Sequence, residues 1–291
     1  TETPMGARLL KKIILQPLTE VDQIDHRLNI VQKFKDDIFL RSDLREELSV
    51  VGDLERYINR ITYVNRTNAR DLINIKTSLD KIPKIRELLE RANIPEIEEY
   101  LKSIQQFNTI RNLIGNSIKS DPPTTVKEGN IIKDGYNKEL DQLRDVLRNG
   151  KDYLLEYEKN QKNRFNLNSG LKVGHNNILG YYVQITKNTL KNIERIPEEY
   201  IERQTLKNSK RFTTEELKNL EQKIVSAEEK INDLEYSIFC DIRDSVEKST
   251  LDILETANNI AFIDVYSCFA EISENFNYCR PIIEKKSDKI I

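Results

Sequence analysis

Two runs of residues with a strict seven-residue repeat constrain the fold of this chain more than any other feature. In each run the seam positions are spaced alternately three and four residues apart. The first run is Leu140, Leu143, Leu147, Gly150, Leu154, Tyr157 and Gln161, and the second is Leu217, Leu220, Ile224, Ala227, Ile231, Leu234 and Ile238. A period of about 3.5 residues is typical of a coiled-coil seam. We therefore predict a hairpin of two long antiparallel helices, in which Gly150 allows either a close helix approach or a kink.

The stretch between the two runs, residues 166–213, differs from both in composition and in charge. It contains eight Lys or Arg, four Glu and no Asp, a net charge of +4 in a chain whose net charge is −2. Residues such as Gly180, Tyr181 and Val183 are typical of turns and strands. We predict a small basic β-rich insert at the tip of the helical hairpin. At about 1.5 Å per residue, a helix over residues 137–165 would hold it about 40 Å from the body.

Helical periodicity dominates the rest of the chain. Thr3 and Pro4 mark the start of a helix that ends at Gln16 and Pro17, and Thr19 is predicted to cap the next helix. Further helices are predicted at residues 43–51, 53–64, 67–90 with an interruption at Pro83, 95–112 and 258–273.

The predicted fold class is mainly α, a helical bundle with a long antiparallel coiled-coil arm that carries a small β-rich domain at its tip. Residues 1–165 form the first part of the helical body and residues 229–291 the second part. The insert occupies residues 166–213, or about 166–228 with its helical stalk. Residues 124–126 and 131–132 are predicted as either a short hairpin or an ordered loop. The tail, residues 284–291, is interpreted as a cut end.

The sequence excludes several kinds of chemistry. It contains no G-x-x-x-x-G-K-[ST] motif, so no phosphate-binding P-loop lies within the chain. Neither His26 nor His175 has a cysteine at metal-ligand spacing. The three cysteines are an odd number, which fits reduced thiols, and no apolar run has the length of a membrane span. We expect no catalysis, cofactor or metal in this chain itself, which starts without Met and reads as a fragment of a larger protein.

The basic insert is the feature with a positive functional signal. Alternate residues of a strand share one face, so Thr205, Lys207, Ser209 and Arg211 are predicted to lie together. Lys187 begins a loop rich in hydrogen-bond donors. Short polar donors mixed with Lys and Arg suit the phosphate oxygens of nucleic acid, where they fix position without reading sequence. The alternative is that these charges only keep a small tip domain soluble.

Several segments resemble the MutS family of DNA mismatch-repair proteins, and they occur in the same order as in that family. Residues 3–10 (TPMGARLL), followed by Pro17 and Leu18, resemble the opening of the family's lever (core) domain. Other matching segments are residues 53–56, residues 172–176, 180–182 and 203–208 of the clamp domain, and residues 261–271 and 277–281 just before the ATPase domain. Many bacterial members carry Trp where Ile13 stands, which exchanges one core residue for another. A clamp favours the MutS1-like branch over the MutS2-like branch.

The resemblance implies a role for the arm. In the family, two subunits each extend a lever, and the clamps at the tips close over double-stranded DNA and contact its backbone. Lys207 and Asn208 lie in the matched clamp segment and are the first candidates for phosphate contact. The further candidates, chosen from charge and predicted strand position, are Lys187, Asn188, Arg203, Lys210 and Arg211. Of Tyr181 and Tyr182, one is expected to pack in the core of the tip and the other to be more exposed.

The resemblance also implies what a longer parent protein contains. The mismatch-reading and connector domains would precede Thr1, and an ATPase domain that uses ATP and Mg would follow Ile291. The expected partners are double-stranded DNA, a second MutS-type subunit (a homodimer if the source is bacterial or archaeal) and a MutL-type repair factor, with no membrane. The location would be cytoplasmic and nucleoid-associated in a prokaryote, or nuclear in a eukaryote. A different class also remains open, a coiled-coil scaffold whose β tip binds protein or structured RNA.

Overall fold

The computed structural model describes residues 1–62, 67–126, 129–176 and 178–283 and shows a mainly helical chain with a four-stranded antiparallel sheet. The chain divides into two compact units. The first is formed by Thr1–Lys133 together with the segment from Ile238 onward, and the second by Asp134–Ser237. Within the described residues, no helix is both long and apolar enough to cross a membrane. The prediction of a mainly α chain with a small β-rich part is confirmed.

The helices account for most of the described chain. In chain order they are α1 (Pro4–Leu15), α2 (Val21–Asp36), α3 (Ile38–Ser49), α4 (Leu54–Ile61), α5 (Ala69–Ala92), α6 (Glu98–Ser103), α7 (Asn108–Ser117), α8 (Lys138–Arg164), α9 (Lys187–Leu190), α10 (Glu215–Glu247) and α11 (Thr250–Asn275). In the first unit, α11 packs against α1, α2, α3, α4 and α6, and α5 packs against α3, α4 and α7. Helix α11 is buried along much of its length because its neighbours surround it, which makes it the centre of this unit.

A buried carboxylate fixes the start of the chain. The Thr3 hydroxyl caps α1 by accepting from the backbone N–H of Gly6 at 2.9 Å. Asp264 of α11 accepts from the backbone N–H of Glu2 and of Thr3, at 2.8 Å each, and from the Thr3 hydroxyl at 2.7 Å. A Cβ on Gly6 would lie 2.1 Å from the Asp264 Oδ2 atom, so only Gly fits there. The predicted start of α1 at Thr3 and Pro4 is confirmed.

Several predicted helix boundaries are wrong. Helix α2 begins at Val21 with Glu20 at its N-cap, and Thr19 does not cap it. Helix α5 continues through Pro83 because Ile82 and Ile85 on either side are fully buried, and this packing outweighs the lost backbone hydrogen bond.

Other differences concern where helices begin and end. The predicted helix over 43–51 begins at Ile38, and the one over 258–273 extends from Thr250 to Asn275. The predicted helix over 95–112 is divided into a 3-10 turn (Pro95–Ile97), α6 and α7. The predicted helix end at Val64 and the tail at 284–291 lie outside the described residues.

Of the two alternatives predicted for residues 124–126 and 131–132, a short hairpin or an ordered loop, the hairpin is wrong: residues 124–126 form no strand, and residue 132 takes part in another antiparallel contact. Ile132 forms a β-bridge with Ile118, and the backbone N–H of Lys119 donates to the Ile131 carbonyl at 2.9 Å. Ile118, Ile131 and Ile132 are all fully buried. Because burial of these apolar side chains stabilises the pairing, the segment after α7 pairs with the segment that leads to α8.

The sheet of the second unit contains β1 (Leu171–Asn176), β2 (Gly180–Thr186), β3 (Ile201–Thr205) and β4 (Ser209–Thr213). The strands lie in the order β1-β2-β4-β3, so the central pairing of β2 with β4 joins two hairpins. One face of the sheet covers an apolar core, whose buried members are Tyr157, Leu171, Val183, Ile185, Tyr200, Phe212 and Leu217.

In the second unit, α8 contacts α10 in antiparallel order. Arg144 forms an ion pair with Glu235, a Cβ on Gly150 would lie 3.1 Å from Ile224, and Tyr153 donates to Glu216. Positions therefore rise along α8 as their partners fall along α10. Helix α8 runs unbroken through Gly150, where Ile224 occupies the space that a side chain would need.

The compact unit Asp134–Ser237 includes the sheet, the whole of α8 and the part of α10 up to Ser237. The predicted bounds 166–213 enclose the sheet alone, and the bounds 166–228 enclose the sheet with its helical stalk. Both divide the chain by expected function and not by compactness. That division stays a prediction.

Candidate nucleic-acid interface

The β3–β4 turn presents Lys207 and Asn208 to solvent. The backbone N–H of Leu206 donates to the Ser209 carbonyl at 2.8 Å, which closes the turn. Lys207 and Asn208 between them are both exposed. The predicted single strand with Thr205, Lys207, Ser209 and Arg211 on one face is therefore wrong, because the chain reverses at 207–208.

A second segment lies beside this turn. The backbone N–H of Lys187 donates to the Asn208 carbonyl at 2.9 Å, so the start of α9 adjoins the β3–β4 turn. Thr186 before it accepts from the backbone N–H of Thr189 at 3.3 Å, which fixes the direction of the short helix. Lys187 and Asn188 are exposed, as are Lys207 and Asn208. We call these four residues the tip cluster.

The other predicted site residues have different surroundings. Lys210 forms a 2.8 Å ion pair with Glu202, and this contact lowers the pKa of the Glu202 carboxyl, with a further contribution from the Thr205 hydroxyl. Arg203 is exposed on the edge strand β3, at the irregularity in the β3–β4 register between Glu202 and Gln204. The structure thus brings the four residues of the tip cluster together, whereas Lys210 already forms an ion pair with a residue of the same chain.

Arg211 lies in a network that sequence reasoning missed. Its Nε atom donates to the Gln184 Oε1 atom at 3.0 Å, and its Nη1 atom donates to the Gln204 Oε1 atom at 2.9 Å. Its Cζ atom lies 4.4 Å from the centroid of the Tyr182 ring. Tyr182 and Gln184 are two residues apart on β2 and therefore share one face of the sheet. This alternation is the sequence signal that could have predicted the network.

The two neighbouring tyrosines are covered in different ways. Tyr181 packs against the core, and its ring centroid lies 4.8 Å from that of His175. Tyr182 is on the opposite face, yet it is only 8% exposed, because Arg211 covers its ring. The expectation that one of the two tyrosines packs in the core is confirmed by Tyr181. The expectation that the other tyrosine is more exposed is wrong, because Tyr182 is buried beneath Arg211.

The buried hydroxyls beneath the sheet are structural. The Tyr200 hydroxyl donates to the Gln161 Oε1 atom at 2.8 Å, and the Tyr157 hydroxyl and the Thr214 Oγ1 atom lie 3.0 Å apart. Burial raises the pKa of both Tyr157 and Tyr200 above the ordinary tyrosine value. Both side chains are therefore neutral near pH 7 and link α8 to the segments after β2 and β4. In the part of the chain that the structure describes, no cluster of His, Cys, Asp and Glu could hold a metal ion.

Comparison with known proteins adds to this geometry. A family model described as MutS domain III matches residues 1–270. The chain belongs to the MutS family. It is 42% identical over 285 residues to the DNA mismatch repair protein MutS of Methanosarcina mazei. The matched region covers 97% of this chain and 31% of that relative. It is 40% identical over 291 residues to the protein of the same name from Caldanaerobacter subterraneus subsp. tengcongensis, which covers 100% of this chain and 33% of that relative.

The resemblance to MutS that individual segments indicated is confirmed. The chain spans about a third of the length of the curated MutS relatives that it matches. The tip cluster, with its Lys and Asn side chains, lies within the part that the MutS domain III model covers.

Proposed function

We propose that this chain is part of a DNA mismatch-repair protein and that its sheet unit binds the backbone of double-stranded DNA. The tip cluster supports this proposal most directly, because two Lys and two Asn residues, all exposed, lie on two segments that a backbone hydrogen bond joins. Such donors match phosphate oxygens, and none of them needs to reach a base edge. Lys207 and Asn208 are the primary contacts and Lys187 and Asn188 the second pair. Arg203 is a peripheral candidate.

In this proposal the sheet unit is a clamp and the two long helices are the arm of a lever. The antiparallel contacts of α8 with α10 support a stiff arm, since paired helices resist bending more than one helix does. The lever would couple DNA contact to an ATPase domain, with ATP and Mg, elsewhere in a longer protein. A second MutS-type subunit and a MutL-type factor are the proposed partners. The chain by itself is proposed to have no ATPase activity.

The salt dependence of DNA binding tests the clamp. Replacing Lys187 and Lys207 with Ala is expected to reduce the slope of log K against log salt by about 0.9 for each lysine, because each neutralised phosphate releases condensed counterions. The measurement is fluorescence anisotropy of a labelled duplex, titrated with this chain at salt concentrations from about 50 to 200 mM.

The control replaces Lys151 and Lys159 with Ala, which removes the same charge from exposed positions of α8. Its slope should equal that of the unaltered chain. If both double variants have the unaltered slope, the tip cluster does not contact phosphate. Matched and mismatched duplexes should bind alike, and preferential competition by structured RNA would instead favour an RNA-binding arm.

A further inference from the structure

We propose that Arg211 is a positioning residue, which braces three strands and so holds the two halves of the tip cluster in register. This inference rests on the proposed function, because the cluster is taken to be the DNA contact. Arg211 stands on β4, and its guanidinium bonds Gln184 on β2 and Gln204 on β3. Its role is therefore distinct from that of an exposed phosphate contact.

The strand register explains why a brace at this position matters. Gln184 pairs with Arg211 across β2 and β4, and Thr186 pairs with Ser209 two residues further along. Residues 187–188 follow β2 directly and residues 207–208 precede β4 directly. The relative position of the two halves of the cluster is thus set by the β2–β4 pairing, one same-face step away from Arg211.

Apart from its backbone ladder, β3 is joined to β4 by the Lys210–Glu202 ion pair, and an ion pair between partly exposed side chains contributes little stability. All five residues of β3 are exposed, and its register with β4 is irregular between Glu202 and Gln204. An exposed edge strand buries little apolar surface, so its backbone ladder is weakly held. The bond from Arg211 to Gln204 joins β3 to the rest of the sheet at the rung beyond that irregularity.

The Tyr182 ring completes the brace. A Cβ on Gly174 of β1 would lie 2.9 Å from the Tyr182 Cζ atom, so the ring lies across the space left by this glycine. Arg211 of β4 covers the ring, with its Cζ atom 4.4 Å from the ring centroid. A planar guanidinium can stack on a ring and donate in two directions within its plane, whereas a lysine ammonium cannot reproduce this geometry.

Two substitutions separate a brace from a phosphate contact. Arg211→Gln removes both the positive charge and the planar guanidinium. Arg211→Lys keeps the positive charge and removes the planar guanidinium. A brace requires both variants to weaken duplex binding, by about fivefold to tenfold, as expected for loss of a buried or stacked network. A phosphate contact requires Arg211→Lys to bind like the unaltered chain. Arg148→Gln is the control, because Arg148 is a 70% exposed arginine on α8.

Hydrogen exchange gives a readout that does not depend on DNA. The amide of Leu206, which closes the β3–β4 turn, should exchange about tenfold faster in both Arg211 variants, because local opening becomes easier. In Arg148→Gln its exchange should be unchanged. Unaltered exchange in Arg211→Lys would overturn the brace.

A double-mutant cycle links the brace to the cluster. In a Lys187→Ala, Lys207→Ala background, Arg211→Lys should cause no further loss of duplex affinity, because a brace acts through those residues. An additive loss would overturn the proposed route of action. If the lysine variants leave DNA binding unaltered, the proposed function fails, while faster exchange at Leu206 would still establish the brace.

Discussion

Replacing Asp264 with Ala is expected to lower the free energy of unfolding of the first unit by about 3–5 kcal/mol. Asp264 is fully buried and accepts three hydrogen bonds, from the backbone N–H of Glu2 and from the backbone and side chain of Thr3. Each buried donor that loses its partner costs about 1–3 kcal/mol, and water that enters the space offsets part of the sum. The first turn of α1 should therefore detach from α11 in this variant.

Urea unfolding followed by far-UV circular dichroism measures this effect. Asp264→Asn should be intermediate, because its carbonyl oxygen still accepts, while its amide nitrogen replaces the carboxylate oxygen that accepts from a backbone N–H of Glu2 or Thr3. Glu255→Ala is the control, since Glu255 is an exposed residue of the same helix, and its effect should stay within about 0.5 kcal/mol. A loss below about 1 kcal/mol for Asp264→Ala would show that the carboxylate does not anchor the chain start.

Replacing Gly180 with Ala is expected to destabilise the second unit by about 2–4 kcal/mol. Gly180 has a φ of 70°, where an L side chain costs about 1–2 kcal/mol. In addition, a Cβ would lie 2.0 Å from the Glu221 Oε2 atom, so this carboxylate must move and lose its 3.3 Å bond from the backbone N–H of Tyr181.

A matched glycine separates the two causes. Gly135 has a φ of 82° in the same unit, and a Cβ there would meet nothing within 4 Å, so Gly135→Ala should show the backbone cost alone. In a Glu221→Ala background, the cost of Gly180→Ala should fall to about that of Gly135→Ala. Hydrogen exchange of the β2 amides measures the stability of the unit. Equal effects of Gly180→Ala with and without Glu221 would contradict the steric cause.

The sequence was sufficient where a local pattern decides the structure. The heptad positions of α8 face inward, with Leu140, Gly150, Tyr157 and Gln161 buried, since a long periodic helix has one apolar side in any context. The Thr3 cap and Pro4 start were equally local. The basic charge of residues 166–213 led to Lys187 and Asn188 of the tip cluster, and the resemblance to the MutS clamp segment led to Lys207 and Asn208.

Local signals misled where packing competes with them. Pro83 is a helix breaker in isolation, but it lies between two buried isoleucines of α5, whose packing keeps the helix continuous. Thr19 has a capping side chain, yet α2 begins two residues later. At 205–211 an alternating polar pattern suggested one strand, and the chain instead turns back at Lys207 and Asn208.

By itself, the sequence determined the family, the mainly α class, the place of the β insert between two long helices and the identity of its basic residues. These properties follow from short-range periodicity, from composition and from the residues of short sequence motifs, and none of these signals depends on distant contacts. Only the tertiary structure decided that Lys187 adjoins Asn208 and that Arg211 spans Gln184 and Gln204. Those relations arise from the pairing of β2 with β4, strands separated by more than twenty residues, whose register depends on which side chains the shared core buries.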